Sequence, residues 1–219
     1  MVPPGGTQAT RVTLDGTRYA GLITQPAVLA TGGWPTRPEP SRRGRDLRAR
    51  YFCLPIPVEP PVTPPVNISA GTSIRQAVEA DTAPQPCAAC HLWIDGPGFA
   101  FGHFDAVGAY QDTDGGLPID TTGVLASAGG AMTEFAGPRD LANLTAAAPE
   151  VAACFATKWL AFVAGTPADP DEVPPPDDGS IGILSGDAAY IVKRATIQGR
   201  LSLRGTIRAV TETHTFLDP

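Results

Sequence analysis

Cys87-Ala88-Ala89-Cys90-His91 constrains this chain more than any other stretch. Two thiols three positions apart can both reach the vinyl groups on one edge of a porphyrin. The histidine that follows is then carried under the ring, where its imidazole can bind the iron axially. The chain holds only 4 Cys and 3 His in 219 residues, so the pattern rarely arises by chance. A CxxC pair also occurs in redox-active dithiols and as half of a zinc site. A thioredoxin-like dithiol sits between a strand and a helix, and nothing strand-like precedes Cys87. A structural zinc site needs a second ligand pair, and Cys53 and Cys154 are isolated. The leading expectation is covalent haem (haem c, iron), held by Cys87 and Cys90 with His91 as proximal ligand. The zinc and dithiol readings stay open behind it.

Proline and glycine, 24 of each, limit the fold that can host this motif. They are too many for a compact bundle throughout, so long loops must carry much of the sequence. The net charge of −6 argues against nucleic acid as a partner. No apolar run approaches the ~20 residues of a membrane span. Val2-Pro3-Pro4-Gly5-Gly6 does not read as a signal peptide. Thioether attachment of haem normally follows export. The expectation is therefore a piece of a longer periplasmic or otherwise extracytoplasmic protein, with residues 1–17 the stub of an upstream domain.

The periodicity predicts a mainly α fold. Residues 40–53 read as a basic helix with Pro40 at its entry, Arg42, Arg43, Arg45, Arg48 and Arg50 along it, and Leu47 and Tyr51 on one face. Those arginines suit a solvated face, or one or two of them suit haem propionates. Residues 54–66 form a proline-rich strap, expected as polyproline II. Ser73 and Gln76 have capping-box spacing at the head of a helix over 73–81. After the motif, Gly96 to Tyr110 reads as a loop, and 111–131 as turns with a small hairpin. Helices are expected at 138–146 and 149–164, the second with an apolar face of Val151, Phe155, Trp159, Phe162 and Val163. Residues 166–180 read as an acidic, proline-rich loop. Ser185 and Ser202 look like caps of two last helices, the second carrying Leu203, Ile207 and Val210 as its stripe. The expected fold is a cytochrome c-like helical haem domain with long Pro/Gly-rich loops and an N-terminal extended arm. Its divisions would be a haem-motif domain at 18–127 and a C-terminal helical domain at 130–217 packed on it.

Over about residues 18–217 the chain resembles the C-terminal domains of unknown function in the large planctomycete- and myxobacterial-type multidomain c-type cytochrome proteins. The segments that carry the resemblance are Ala20 to Pro26, Arg43-Gly44, Phe52-Cys53-Leu54-Pro55, Cys87 to His91 and Ile94-Asp95. Further on they are Gly98-Phe99-Ala100, Phe104 to Gly108, Pro118-Ile119-Asp120, Phe135 to Leu141, Cys154 to Gly165 and Leu203 to Phe216. The family usually has Ile-Asp-Pro before its Gly-Phe; here Pro97 comes after Gly96. The resemblance implies extracytoplasmic haem proteins with further domains upstream. It supplies no reaction.

The loop Gly96-Pro97-Gly98 is expected beside the haem, with a backbone carbonyl accepting from the other nitrogen of His91. Met132, the only internal methionine, is the candidate distal ligand. Its alternative role is ordinary packing. His103 is expected to be structural and His214 to lie at the surface. Asp112, Asp114 and Asp120 are a weak calcium signal without EF-hand spacing. Setting the haem pair aside, Cys53 and Cys154 remain; in an oxidising compartment they would form a disulfide, and otherwise two buried thiols. Two functions follow. One is one-electron transfer to other domains of the parent protein or a redox partner. The other is a haem enzyme, peroxidase- or oxygenase-like, with an open distal site. A non-haem structural module is the remaining possibility, so whether the chain is an enzyme stays open here.

Overall fold

The computed structural model describes residues 11–31, 33–54, 56, 66, 68–163, 186–197 and 200–213. A 3-10 turn at Gly21–Thr24 leads into α1 (Pro26–Ala30) and α2 (Pro40–Tyr51), followed by α3 (Ile74–Thr82) and α4 (Cys87–Phe99). Two antiparallel hairpins come next, β1–β2 (Thr113–Asp114, Leu117–Pro118) and β3–β4 (Gly123–Ala126, Met132–Phe135). Then come α5 (Pro138–Ala147) and α6 (Pro149–Val163). α7 (Gly186–Ala195) and α8 (Leu203–Val210) flank a last hairpin, β5–β6 (Thr196–Ile197, Arg200–Leu201). Helix dominates, as the periodicity predicts, and the sheets are all two-stranded ribbons.

α2 and α4 touch backbone to backbone, and this contact organises the fold. A Cβ on Gly44 would lie 1.8 Å from the Ile94 carbonyl oxygen, and one on Gly98 would lie 1.9 Å from that of Pro40. Only glycine fits at either place. Packing also explains why Gly96-Pro97-Gly98, expected as loop, is helix. Gly96 is crowded by Val124 of β3, 2.5 Å from where a Cβ would stand. Pro97 is fully buried. Its missing N–H takes the helical donor from the Trp93 carbonyl, and α4 continues regardless until Phe99. The glycines serve close approach on two sides of one helix, where propensity alone reads them as breakers.

The arginines of α2 divide between two sides: Arg42 and Arg50 are exposed on a solvated face, and two others are buried. Arg43 is 6% exposed and Arg48 is 7% exposed. Arg43 Nε donates to the Leu29 carbonyl at 3.1 Å, Nη1 to those of Phe101 (3.2 Å) and Phe104 (2.6 Å), and Nη2 to that of Asp105. The guanidinium thus ties the end of α1 to the chain that follows α4. Burial pushes it down to about 10, so it stays charged at neutral pH.

The main core gathers Leu29, Leu47, Phe52, Phe104, Leu125 and Leu141, drawn from both sides of the expected 127–130 boundary. A smaller cluster joins α6, α7 and α8 through Leu160, Ile191 and Val210. On α6 the buried side is Ala153, Cys154, Ala156 and Leu160, while Phe162 is 71% exposed. The small residues let α6 approach its neighbours; of the stripe expected to face inward, Val151 packs on the main core and Trp159 and Val163 on the smaller cluster, while Phe162 is left to solvent. On α8, likewise, Ile207 is 50% exposed, and Thr206, Ala209 and Val210 are buried.

The end signals hold. Ser73 and Gln76 form the capping box of α3. Ser202 Oγ accepts from the Gly205 N–H at 3.1 Å. Cys53 and Cys154 are bonded, with Cα atoms 5.4 Å apart, joining the end of α2 to α6. Among the described residues no single helix is long and apolar enough to cross a membrane. Most of the proline strap, the acidic loop, Ser185 and His214 lie outside the described residues.

Candidate functional site

α4 starts at Cys87. Positions 87, 90 and 91 follow at i, i+3 and i+4, which puts both thiols and the imidazole on one face of its first turn. Cys87 is exposed and Cys90 half-buried, and both are free thiols.

His91 is held from below. Its Nδ1 lies 2.9 Å from Oδ1 of Asp95, one turn further along α4. Asp95 is 7% exposed. Ser41 of α2 donates its hydroxyl to the same Oδ1 at 2.6 Å. Thr82, the last residue of α3, places Oγ1 3.0 Å from Oδ2 of Asp95 and 2.9 Å from the Val78 carbonyl, its one proton shared between them. A carboxylate only accepts, so Nδ1 carries the proton, and the lone pair of neutral His91 is on Nε2. Asp95 raises the His91 pKa above its ordinary value, chiefly by this hydrogen bond, and burial opposes the rise. The acceptor of His91 is therefore a side-chain carboxylate, and not a carbonyl of the expected Gly96-Pro97-Gly98 loop.

Beside this turn, the Arg48 guanidinium lies over the ring of Trp93, 5.3 Å from its centroid. Nη1 donates to the Ala126 carbonyl at 2.7 Å, and Nε is buried with no partner. No carboxylate pairs with Arg48 among the described residues. Met132 opens β4, 46% exposed, in register with Ala126. It stands one strand beyond β3, the strand that packs on α4. His103 has a structural role: Nδ1 donates to the Gln111 carbonyl at 2.9 Å, and the ring stacks on Tyr110.

Two of the three aspartates of the weak calcium signal accept hydrogen bonds from the protein itself. Asp114 accepts from the Ile74 N–H, and Asp120 accepts from the N–H and hydroxyl of Thr122. Among the described residues, no group of three or more His, Cys, Asp or Glu side chains is placed to hold a metal ion. A cleft of about 410 Å³, lined by Arg75, Phe99 and Ile119 among others, lies at the far end of α4 from the thiols.

Sequence reasoning finds Cys87, Cys90 and His91 and misses Asp95, Ser41 and Thr82. The signal for Asp95 is present: a carboxylate four residues after a histidine faces it if both are on one helix. No helix is read across the motif from the sequence alone, and that hides the pair. Ser41 and Thr82 carry no local signal, because tertiary packing alone brings them to Asp95.

Residues 19–114 match the family model PSCyt3, described as a protein of unknown function (DUF1588). The match covers under half of the chain but includes α2, α3 and α4, so the whole His91–Asp95 network falls inside it. No curated protein and no solved structure matches the chain.

Proposed function

We propose that this chain is a haem c domain that passes single electrons within a larger exported protein. The observation that carries the reading is the hold on His91. A carboxylate fixes Nδ1–H and leaves Nε2 as a ligand beside two free thiols on the same turn. Such a partner on the second nitrogen is the usual arrangement for a metal-bound histidine. The buried Arg48, with an orphaned Nε, suits a propionate. The name of the matched family, PSCyt3, hints at a cytochrome-related protein. The Cys53–Cys154 disulfide is consistent with an oxidising, extracytoplasmic compartment.

Each residue then has a stated task. Cys87 and Cys90 would hold the group through thioether links, His91 Nε2 would be the ligand to its iron, and Asp95 keeps the imidazole from turning. Met132 is the sulfur ligand on offer for the distal side. The bound haem supplies a reversible one-electron couple, and no substrate chemistry is asked of the protein. Partners are other domains of the parent protein or a separate redox protein.

Visible spectra of protein matured in a host competent for cytochrome assembly test this reading. Sharp α and β bands on reduction are the expected result. A high-spin spectrum that changes on adding cyanide would replace electron transfer with an open-site haem enzyme. Absence of a Soret band would remove both.

A further inference from the structure

We propose that Asp95 sets the reduction potential of this centre, lowering it so that the domain acts as an electron donor; this rests on the haem reading above. Asp95 is buried at 7% exposure, and no Lys or Arg pairs with it among the described residues. Its charge is met by hydrogen bonds from α2, α3 and α4: Ser41 and His91 on Oδ1, Thr82 on Oδ2. A buried carboxylate is tolerated only when its oxygens are satisfied in this way. Bonds from three helices orient the carboxylate with Oδ1 on Nδ1, and the hydrogen bond to His91 is charge-assisted.

The consequence is electronic. A carboxylate pulling on Nδ1–H increases electron density at Nε2 and makes it a more basic ligand. A more basic ligand favours the higher charge of ferric iron over ferrous iron, which lowers the potential. The domain then gives up one electron, from ferrous to ferric, to a partner of higher potential, and no proton moves. Ser41 acts against this. By donating to Oδ1, the oxygen His91 also uses, it draws off part of the carboxylate's charge. Asp95 and Ser41 are thus positioning residues of opposite sign.

The test measures midpoint potentials of the covalently loaded chain. Asp95→Asn keeps the shape and removes the charge. The potential should shift upward, by about 59 mV for each tenfold loss of ferric over ferrous preference. Ser41→Ala should shift the potential downward. A merely structural role would not give shifts of opposite sign. In the unloaded chain, nitrogen NMR should find neutral His91 as the Nδ1–H tautomer. A loaded Asp95→Asn protein with unchanged potential overturns the assignment while leaving the haem reading intact, and so does an Nε2–H tautomer. If Asp95→Asn does not fold, Ser41→Ala decides: no shift, or an upward one, overturns it. A wild-type chain that retains no haem overturns the haem reading itself, and this assignment with it.

Discussion

Replacing Gly44 by alanine sets two physical effects against each other. Helix propensity favours alanine by about 1 kcal/mol. The crossing opposes it, because the new Cβ would stand 1.8 Å from the Ile94 oxygen, 2.8 Å from its carbon and 2.9 Å from the Gly98 nitrogen. All of these are backbone atoms, so no rotamer change can relieve the clash. α2 must move away from α4 by roughly 1.5 Å, and a gap of 0.5–1 Å already forfeits a quarter to a half of the dispersion energy at a contact. Overpacking of this kind typically costs about 1–3 kcal/mol, and here the upper end applies because two helices move together. The net expectation is a loss of about 2 kcal/mol after propensity is credited. In a chain of this length that lowers the melting temperature by about 4–8 °C. Circular dichroism melts and urea titrations of both proteins measure it. The displacement should also pull Ser41 off Asp95 and broaden the NMR signals of His91. A Gly44→Ala protein as stable as the parent, or more stable, would refute the close crossing.

Four further outcomes follow from the same geometry. Arg43→Leu removes the guanidinium from four carbonyls, of which those of Phe101 and Asp105 keep a backbone N–H; the other two are worth about 1–3 kcal/mol each when buried, so a loss of at least ~2 kcal/mol is expected in urea unfolding; an unchanged midpoint contradicts that role. Alkylating the unloaded, unreduced, unfolded chain should label only Cys87 and Cys90, with all 4 cysteines labelled after reduction. The bridge closes a separation of 101 residues, so Cys53→Ala with Cys154→Ala should cost up to ~4–5 kcal/mol. In the unloaded chain the His91 pKa is raised above its unfolded value, so its contribution is complete below about pH 6.5 and fades as pH rises through the folded-state value. An NMR titration of His91 at or below the model-peptide value would contradict the Asp95 contact.

Local signals were legible and close contacts were not. Ser73 with Gln76, Pro149 at a first turn and Ser202 before an apolar run each announce a helix end through chemistry within a few residues. The CxxCH turn is legible for the same reason. Gly44 and Gly98 read as weak points in a helix, yet they are where two helices meet, a fact held in residues 54 positions apart in sequence. Arg43 reads as a solvated charge because its four acceptors are backbone carbonyls, which leave no trace in the side-chain pattern. The stripe of Phe155, Trp159 and Phe162 reads as a core face. Trp159 does pack on the cluster of α6, α7 and α8, but the buried positions of α6 are Ala153, Cys154, Ala156 and Leu160, and Phe162 lies at the surface. At the site, the first-turn residues were visible, and the network that aims His91 depended on the motif itself being helical and on tertiary packing that brings Ser41 and Thr82 to Asp95.

The mass of the matured chain under denaturing conditions tests the central claim most directly. Covalent attachment at Cys87 and Cys90 predicts the chain mass plus one haem, retained after unfolding and acid extraction, and lost when both cysteines are replaced by alanine. An unmodified chain mass from a host that matures other c-type cytochromes would contradict the account.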